Sequence, residues 1–398
     1  MQSTTDGSRH RGNLIFAAIF VLILFAVPAA TWLSPHQDIS EIENRRLASA
    51  PELTRESLLS GDYFLDWETY FKDHVVLRGA MIKGNTWLSL NLLDRVVVND
   101  IVPVENRLLP YLTPPTEAGG KESAEAMADR LALLSEAVAS YGGTFLYVGV
   151  PTQMTVFADE YPSYLYSGAE LRAEAAAAFS AALAERDIAF LDMAQVFDEN
   201  GGAKTYYMST DHHYTLQGAF LVYQTLCERL TSMGYVIPTL TENDLLFSAV
   251  EAPFLGSRSR ALYYLPRLHD DFYTFALKEP LAFTRADNGQ PVPASVIRLP
   301  EPLSGGVGYG AYMGGDIAET VIATNRPELP SILLFGDSFT NAVETFLYTS
   351  FDETRSLDLR HYTGMALTEY VRLYRPEIVV CLRDDANYLT ETGNGDVR

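Results

Sequence analysis

The chain has 398 residues, 47% of them hydrophobic and 20% charged, which is the balance of a folded protein with a large core and excludes a disordered one. Its formal net charge of −22 excludes binding to nucleic acid or docking on an anionic membrane surface through a basic face, since the phosphates would be repelled. Cys227 and Cys381 fall in different predicted elements, form no disulfide framework and lack metal-ligand spacing, so both read as small buried apolar residues.

Residues 1–13 are polar and include Arg9, His10 and Arg11, whereas Leu14 to Leu33 carries no charge and is almost wholly apolar. At 1.5 Å per residue such a stretch crosses a hydrocarbon core of about 30 Å. Basic residues ahead of it favour an inside N-terminus. The expectation is a single-pass cell-membrane anchor at 14–33, a cytoplasmic tail at 1–13 and an extracellular body. The alternative is a cleaved signal peptide with Val27-Pro28-Ala29 as its small-residue site, which leaves the body in the same compartment.

Residues 34–110 are expected to form a helical N-terminal region packing on the catalytic domain. Leu58, Leu59, Phe64, Trp67, Tyr70 and Phe71 recur at helical spacing, and Asp73-His74 and Arg78 follow; His74 beside Asp73 reads as a structural ion pair, with a catalytic pair as the alternative. Thr113-Pro114-Pro115 and Gly119-Gly120 mark a linker.

From Glu122 the pattern becomes α/β. Met127, Leu131, Leu134 and Val138 mark a helix face that Gly142-Gly143 closes, and Thr144–Val150 reads as a buried strand. Leu171, Ala175, Phe179 and Leu183 mark a second helix before a strand at Ile188–Leu191. A helix between two buried strands implies a right-handed parallel crossover. Phe220, Tyr223, Leu226 and Leu230 mark another helix. Residues 235–325 are rich in Pro, Gly and Tyr and read as a loop-rich insertion. Strands follow at Ile332–Phe335, Thr354–Leu359 and Glu377–Leu382, with a helix centred on Leu367–Leu373. The sum is an α/β three-layer sandwich at 122–398 with about five parallel strands.

Two stretches carry the chemistry. In Phe335-Gly336-Asp337-Ser338, a strand stops at a glycine and a helix begins at about Asn341, which sets Ser338 at the carboxyl end of a strand beside free helix N–H groups. A nucleophilic serine needs such a place; a helix-capping serine uses the same one. The second stretch is Asp211-His212-His213-Tyr214-Thr215. Residues two apart on extended backbone point the same way, so Asp211 can hold one nitrogen of His213 and leave the other for Ser338. This is the nucleophile, base and orienting carboxylate of a hydrolase triad. Oxyanion donors are expected from the Ser338 backbone N–H with Gly314, Gly315 or Asn387. An Asp-His-His cluster also suits a metal ion, but the chain offers no convincing set of further aspartates, Asp192 and Asp198 being isolated. No metal and no cofactor is expected.

Gly336-Asp337-Ser338 resembles the first block of the SGNH (GDSL-type) hydrolases, and Asp211-x-His213 their Asp/His block, with the order of the blocks permuted so that the histidine comes first. That order resembles the alginate O-acetylation proteins J and X. More closely the chain resembles the DHHW family of bacterial cell-surface proteins, through Glu43-Asn44-Arg45, Asp73-His74, Arg78, Asp211–Thr215, Phe254–Ser257, Met313–Asp316, Gly336–Asn341 and Asp358-x-Arg360. Tyr214 stands where that family has Trp, and Asn387 is the candidate for the third block's Asn. The resemblance implies an SGNH-type fold acting on acyl esters. It implies acetyl transfer through an acyl-serine to a hydroxyl of an exported or cell-wall polysaccharide, the acetyl group being supplied by an integral-membrane O-acyltransferase. Arg360 and Tyr214 would line the glycan site. A carbohydrate acetyl esterase with the same residues, and a non-catalytic glycan-binding or assembly protein, are the alternatives left open.

Overall fold

The computed structural model describes residues 3–40, 42, 43, 45–114 and 120–397, with side chains from residue 11 onward. Asn44 and residues 115–119, most of the expected linker, lie outside the described residues. The chain divides into two compact units: residues 1–99 with 260–265, and residues 100–259 with 266–398.

In the first unit, helix α1 (Ser3–Leu33) contains an apolar run, Arg11–Leu33, long enough to cross a membrane. Helices α2 (Asp62–His74) and α3 (Arg78–Asn91) follow. Two bidentate ion pairs tie this unit together. Arg45 donates to both Asp73 oxygens at 2.8 and 2.5 Å, and Arg78 to both Glu43 oxygens at 2.7 and 2.8 Å. Asp73 also accepts the Ala48 N–H, and His74 Nε2 lies 2.8 Å from the Ala48 carbonyl. The Asp73-His74 and Arg78 signature is thus spent on joining helix to loop.

The second unit is built on one sheet. Its strands are β1 (Thr144–Val150), β2 (Ala189–Asp192), β3 (Thr284–Asp287), β4 (Gln290–Val292), β5 (Glu319–Ala323), β6 (Ile332–Gly336), β7 (Glu353–Leu357) and β8 (Ile378–Asp384). They lie in the order β4-β3-β5-β7-β6-β8-β1-β2. The five strands β7-β6-β8-β1-β2 are parallel, as the alternation of strands and helices predicts. Strands β3, β4 and β5 extend the sheet antiparallel beyond β7. These three come from the segment read as a loop-rich insertion, so that reading is corrected: the segment completes the sheet. Its signal was present in Asn288-Gly289, with φ of 50° and 73°, which makes the β3–β4 hairpin turn. The segment also donates a separate hairpin, Leu245–Ala249 with Tyr273–Leu277.

Helices α4 (Gly120–Ala139), α5 (Ala169–Ala184) and α8 (Leu367–Tyr374) cover one sheet face through Met127, Leu131, Phe179 and Tyr370 against Tyr147, Phe335 and Cys381. Helices α6 (Leu216–Ser232) and α7 (Thr340–Leu347), the latter leaving β6 directly, pack on each other through Phe220 and Phe346, 5.1 Å apart. Both cysteines are buried and unpaired, and burial pushes the Cys227 thiol up to about 11, so neither is a ready nucleophile.

Candidate active site

Strand β6 needs a glycine at its end. A Cβ at residue 336 would lie 1.8 Å from the Leu382 carbonyl oxygen on β8. The turn after it is fixed by Asp337, whose carboxylate accepts the Phe339 N–H at 3.1 Å and the Asp384 N–H at 2.9 Å. Asp337 is therefore a turn residue that clamps the serine to the end of β8. Ser338 does not cap α7 with its side chain. Its Oγ instead lies 2.7 Å from His213 Nε2.

The base loop reaches the same point from the other end of the sequence. Asp211 Oδ1 accepts from His213 Nδ1 at 2.6 Å and from the His213 backbone N–H at 3.1 Å, while Oδ2 accepts the Ser257 N–H at 2.7 Å. Burial works to raise the Asp211 carboxyl; the charge and hydrogen bond of His213, then His212 and the Ser257 amide, outweigh it and hold the group well below the usual carboxylate range. An ionised Asp211 fixes the proton on Nδ1, which leaves Nε2 to accept from the Ser338 hydroxyl.

The loop holding Asp211 and His213 is itself braced. Buried Gln153 donates to the Met208 and Asp211 carbonyls at 2.5 and 2.7 Å and accepts from Arg258, which also reaches the Leu108 carbonyl at 2.8 Å. Burial pushes the Arg258 guanidinium down to about 10. The Asp270 carboxylate takes the Ser209 and Thr210 amides at 2.8 Å each. Thr215 ends the loop by accepting the Gly218 N–H as the α6 cap. Tyr309 lies flat on the His213 imidazole, centroids 3.7 Å apart and planes 1° from parallel, and Phe339 meets the same ring at 5.0 Å. His212 Nδ1 lies 2.9 Å from Ser257 Oγ.

Ser338, His213 and Asp211 are thus brought together; the other candidates are placed differently. Tyr214 is fully buried and donates its hydroxyl to the Phe339 carbonyl, so it lines no open glycan surface. The extended backbone expected here is corrected: residues 211–213 form a bend closed by the His213 N–H on the Asp211 carboxylate, and that bend, not strand parity, brings Asp211 to the His213 ring while Tyr214 turns inward. The Asn387 amide is held by Asp384 at 2.7 Å. The Gly315 N–H donates to the Tyr312 carbonyl at 3.1 Å, and Gly314 lies under the Arg298 side chain; both are turn residues with φ of 92° and 86°. Gly315 is therefore not a free oxyanion donor here, although it shares a small cleft with Gly336, Asp316 and Asn341. Arg360 is paired with Asp358 at 2.6 Å and Asp316 at 2.9 Å, and Asp316 in turn accepts from Asn341, one turn along α7 from Ser338. Tyr309, Gln153, Arg258 and Asp270 escaped the sequence reading; each is a single side chain in a segment whose partners are far away along the chain.

The residues suit a metal ion poorly. Both nitrogens of His213 and both oxygens of Asp211 already have partners in the cluster Asp211, His212 and His213. In the second cluster, Asp316, Asp358 and His361, the Arg360 guanidinium occupies the space between the carboxylates. Asp192 caps a helix by accepting the Ala194 N–H.

Residues 112–257 match the family described as SGNH hydrolase-like domain, acetyltransferase AlgX; the matched stretch includes Asp211 and His213 and ends before Ser338. No curated protein matches the chain in sequence. Among solved structures it is similar to Bacillus cereus PatB1, at 23% identity and a TM-score of 0.62, over 72% of this chain and 96% of that one. The same protein with a sulfonyl adduct aligns at 21% identity and 0.61, over 72% and 95%. A DHHW family protein from Eubacterium siraeum aligns at 19% identity and 0.57, over 75% and 95%. The family match and the mostly parallel sheet show that the chain carries an SGNH hydrolase-like domain.

Proposed function

We propose that the chain is an O-acetyltransferase that carries an acetyl group on Ser338 and delivers it to a glycan hydroxyl. The observation that carries this reading is the continuous line of hydrogen bonds from Asp211 through His213 to Ser338, at 2.6 and 2.7 Å. The match to an acetyltransferase family supports O-acetyl transfer as the general reaction.

In the first step Ser338 Oγ attacks the acetyl carbonyl and its proton passes to His213 Nε2. The imidazolium so formed is stabilised by Asp211 and then returns its proton to the leaving group as the donor ester breaks. In the second step an acceptor hydroxyl loses its proton to His213 and attacks the acetyl-serine, and Ser338 is released with its proton restored. Positioned base catalysis of this kind is worth roughly 10²–10⁴ in rate. The acceptor is an exported or cell-wall polysaccharide. The acetyl group arrives from an integral-membrane O-acyltransferase, α1 anchors the chain in the cell membrane, and the second unit works outside it.

The test uses the full chain in detergent, phenylmethanesulfonyl fluoride and p-nitrophenyl acetate as serine-directed probes, and intact mass as readout. The expected result is one sulfonyl or acetyl adduct on Ser338, absent from Ser338→Ala, with acetylated product appearing when cell-wall oligosaccharides are added. Product formation with water alone, unchanged by any acceptor, would assign an esterase. Equal slow rates and no adduct in either protein would remove the enzyme reading and leave a glycan-binding protein.

A further inference from the structure

We infer that the corner between α2 and α3 is a membrane-contact surface, seated on the lipid of the bilayer that α1 crosses. It is a second point of attachment, separate from the span itself.

The corner is joined to the end of the span. Thr31, in the last turn of α1, accepts the Val76 N–H at 3.0 Å through its hydroxyl. One residue later along α1, Trp32 stacks on Trp67 of α2 with centroids 6.4 Å apart. Just past the span, His36 stacks on Tyr70 at 5.6 Å and meets His74 at 5.1 Å. The place where α1 leaves an apolar medium is therefore the place where α2 ends and α3 starts.

The side chains there are large, apolar and exposed. Leu33 is 83% exposed, Leu77 71% and Met81 53%, and Phe64 and Phe71 on α2 are exposed as well. Leu77 follows the Val76 that bonds to α1, and it adopts φ 62°, a conformation a leucine rarely takes. A protein surface that displays a leucine this way gains nothing from water. Aromatic rings cluster along α2 beside the Trp32 contact: Trp67 meets Tyr63 at 6.3 Å, Tyr70 at 5.3 Å and Phe71 at 5.4 Å. The three tryptophans of the whole chain are Trp32, Trp67 and Trp87, all within this unit. Tryptophan and tyrosine around exposed leucine and phenylalanine, at the mouth of an apolar helix, are the composition of a membrane–water boundary. Lipid rather than a protein is the occupant because the patch is continuous with the end of the span, which in a bilayer has lipid around it.

The test labels single cysteines in the full chain with the environment-sensitive fluorophore NBD, the two native cysteines being buried. Leu77→Cys and Met81→Cys report the corner, Leu22→Cys the span, and Lys121→Cys the second unit. The chain is placed in phosphatidylcholine vesicles with and without nitroxide-bearing lipid. The expected result is blue-shifted emission at 77, 81 and 22, quenched by about half or more by the nitroxide lipid, with 121 unaffected, as befits groups at the acyl–headgroup boundary. Quenching at 22 with aqueous emission at 77 and 81 would overturn the inference. So would blue-shifted emission at 77 and 81 that nitroxide lipid leaves unchanged, which would assign the patch to a second copy or another protein. Absence of quenching at all four sites would overturn it too.

Discussion

Tyr309 lies face to face on His213, 3.7 Å between centroids and 1° from parallel, while its buried hydroxyl has no hydrogen-bond partner among the described residues. The ring and the hydroxyl therefore have separate consequences. The ring fills the space into which the imidazole would tilt and presents an aromatic face to the imidazolium that forms when Ser338 gives up its proton. The hydroxyl is buried at a cost of about 1–3 kcal/mol with no bond gained in return.

Two substitutions separate these effects. Tyr309→Phe keeps the stack and removes the unpartnered group, so sulfonylation of Ser338 proceeds within about twofold of wild type and the thermal midpoint rises by roughly 2 °C. Tyr309→Leu removes the stack, and labelling slows about tenfold, the scale of one lost aromatic contact. The rate of adduct formation by intact mass, with a thermal melt, checks both. A Tyr309→Phe protein as slow as Tyr309→Leu would show that the hydroxyl, not the ring, serves the site.

Asp211→Asn removes the carboxylate that fixes the His213 tautomer, and Ser338 acylation falls by about 10³–10⁴. The folded group is held below the unfolded carboxylate value of about 3.9, so it contributes stability that is present above about pH 4 and lost as pH falls through the folded value. The loss of stability in Asp211→Asn is therefore larger at pH 6 than at pH 3. Thermal midpoints at the two pH values read it, and a deficit that grew on acidification would contradict the assignment.

What could be read from sequence was local. Gly336-Asp337-Ser338 and Asp211-x-His213 are short strings in which each residue type answers to one backbone demand: close approach at Gly336, and at Asp337 and Asp211 a carboxylate that accepts the amide two residues on. Three of the five parallel strands, β1, β6 and β8, were equally legible as apolar runs, whereas β7 reads Glu-Thr-Arg-Ser-Leu and was placed by the alternation of strands and helices around it. Tyr309, Gln153 and Arg258 were not, because their roles are made by contacts that sequence spacing does not encode: Tyr309 meets His213 from a loop 96 positions later, and Arg258 meets Gln153 across 105. Strands β3 to β5 lack an apolar run because the sheet edge they form is half polar, with Arg285, Asp287 and Thr320 buried in place of aliphatic residues.

Asp384 is the acid most raised around the serine turn. Burial, then the facing Asp337 carboxylate, push it up to about 8. The folded value lies above the unfolded one, so the folded state binds the extra proton between about pH 4 and pH 8 and stability falls as pH rises through that window. Asp384→Asn imitates the protonated acid: its oxygen accepts from Ala386 or Asn387 as Asp384 does, and its NH₂ donates to Asp337. The variant melts higher than wild type at pH 9 and close to it at pH 5. A midpoint difference independent of pH would show that Asp384 is ionised in the native protein throughout.

Gly256 supports the base loop from outside it. A Cβ at this position would lie 2.4 Å from the Thr210 carbonyl oxygen, which already accepts the Arg258 and Ser259 amides at 3.1 Å each. Backbone oxygens cannot retreat as flexible side-chain ends do, so Gly256→Ala pushes Thr210 and with it Asp211, whose Oδ2 is held by the Ser257 amide next door. A shift of about 1 Å in a reacting constellation costs on the order of 10² in rate. The expected protein is folded, melts several degrees lower, and sulfonylates Ser338 about a hundredfold more slowly. Gly305→Ala, where the added methyl meets nothing within 4 Å, is the control and keeps wild-type values in both measurements. If Gly256→Ala lost stability while Ser338 kept its labelling rate, the loop's placement of His213 would not depend on the backbone contact at Thr210.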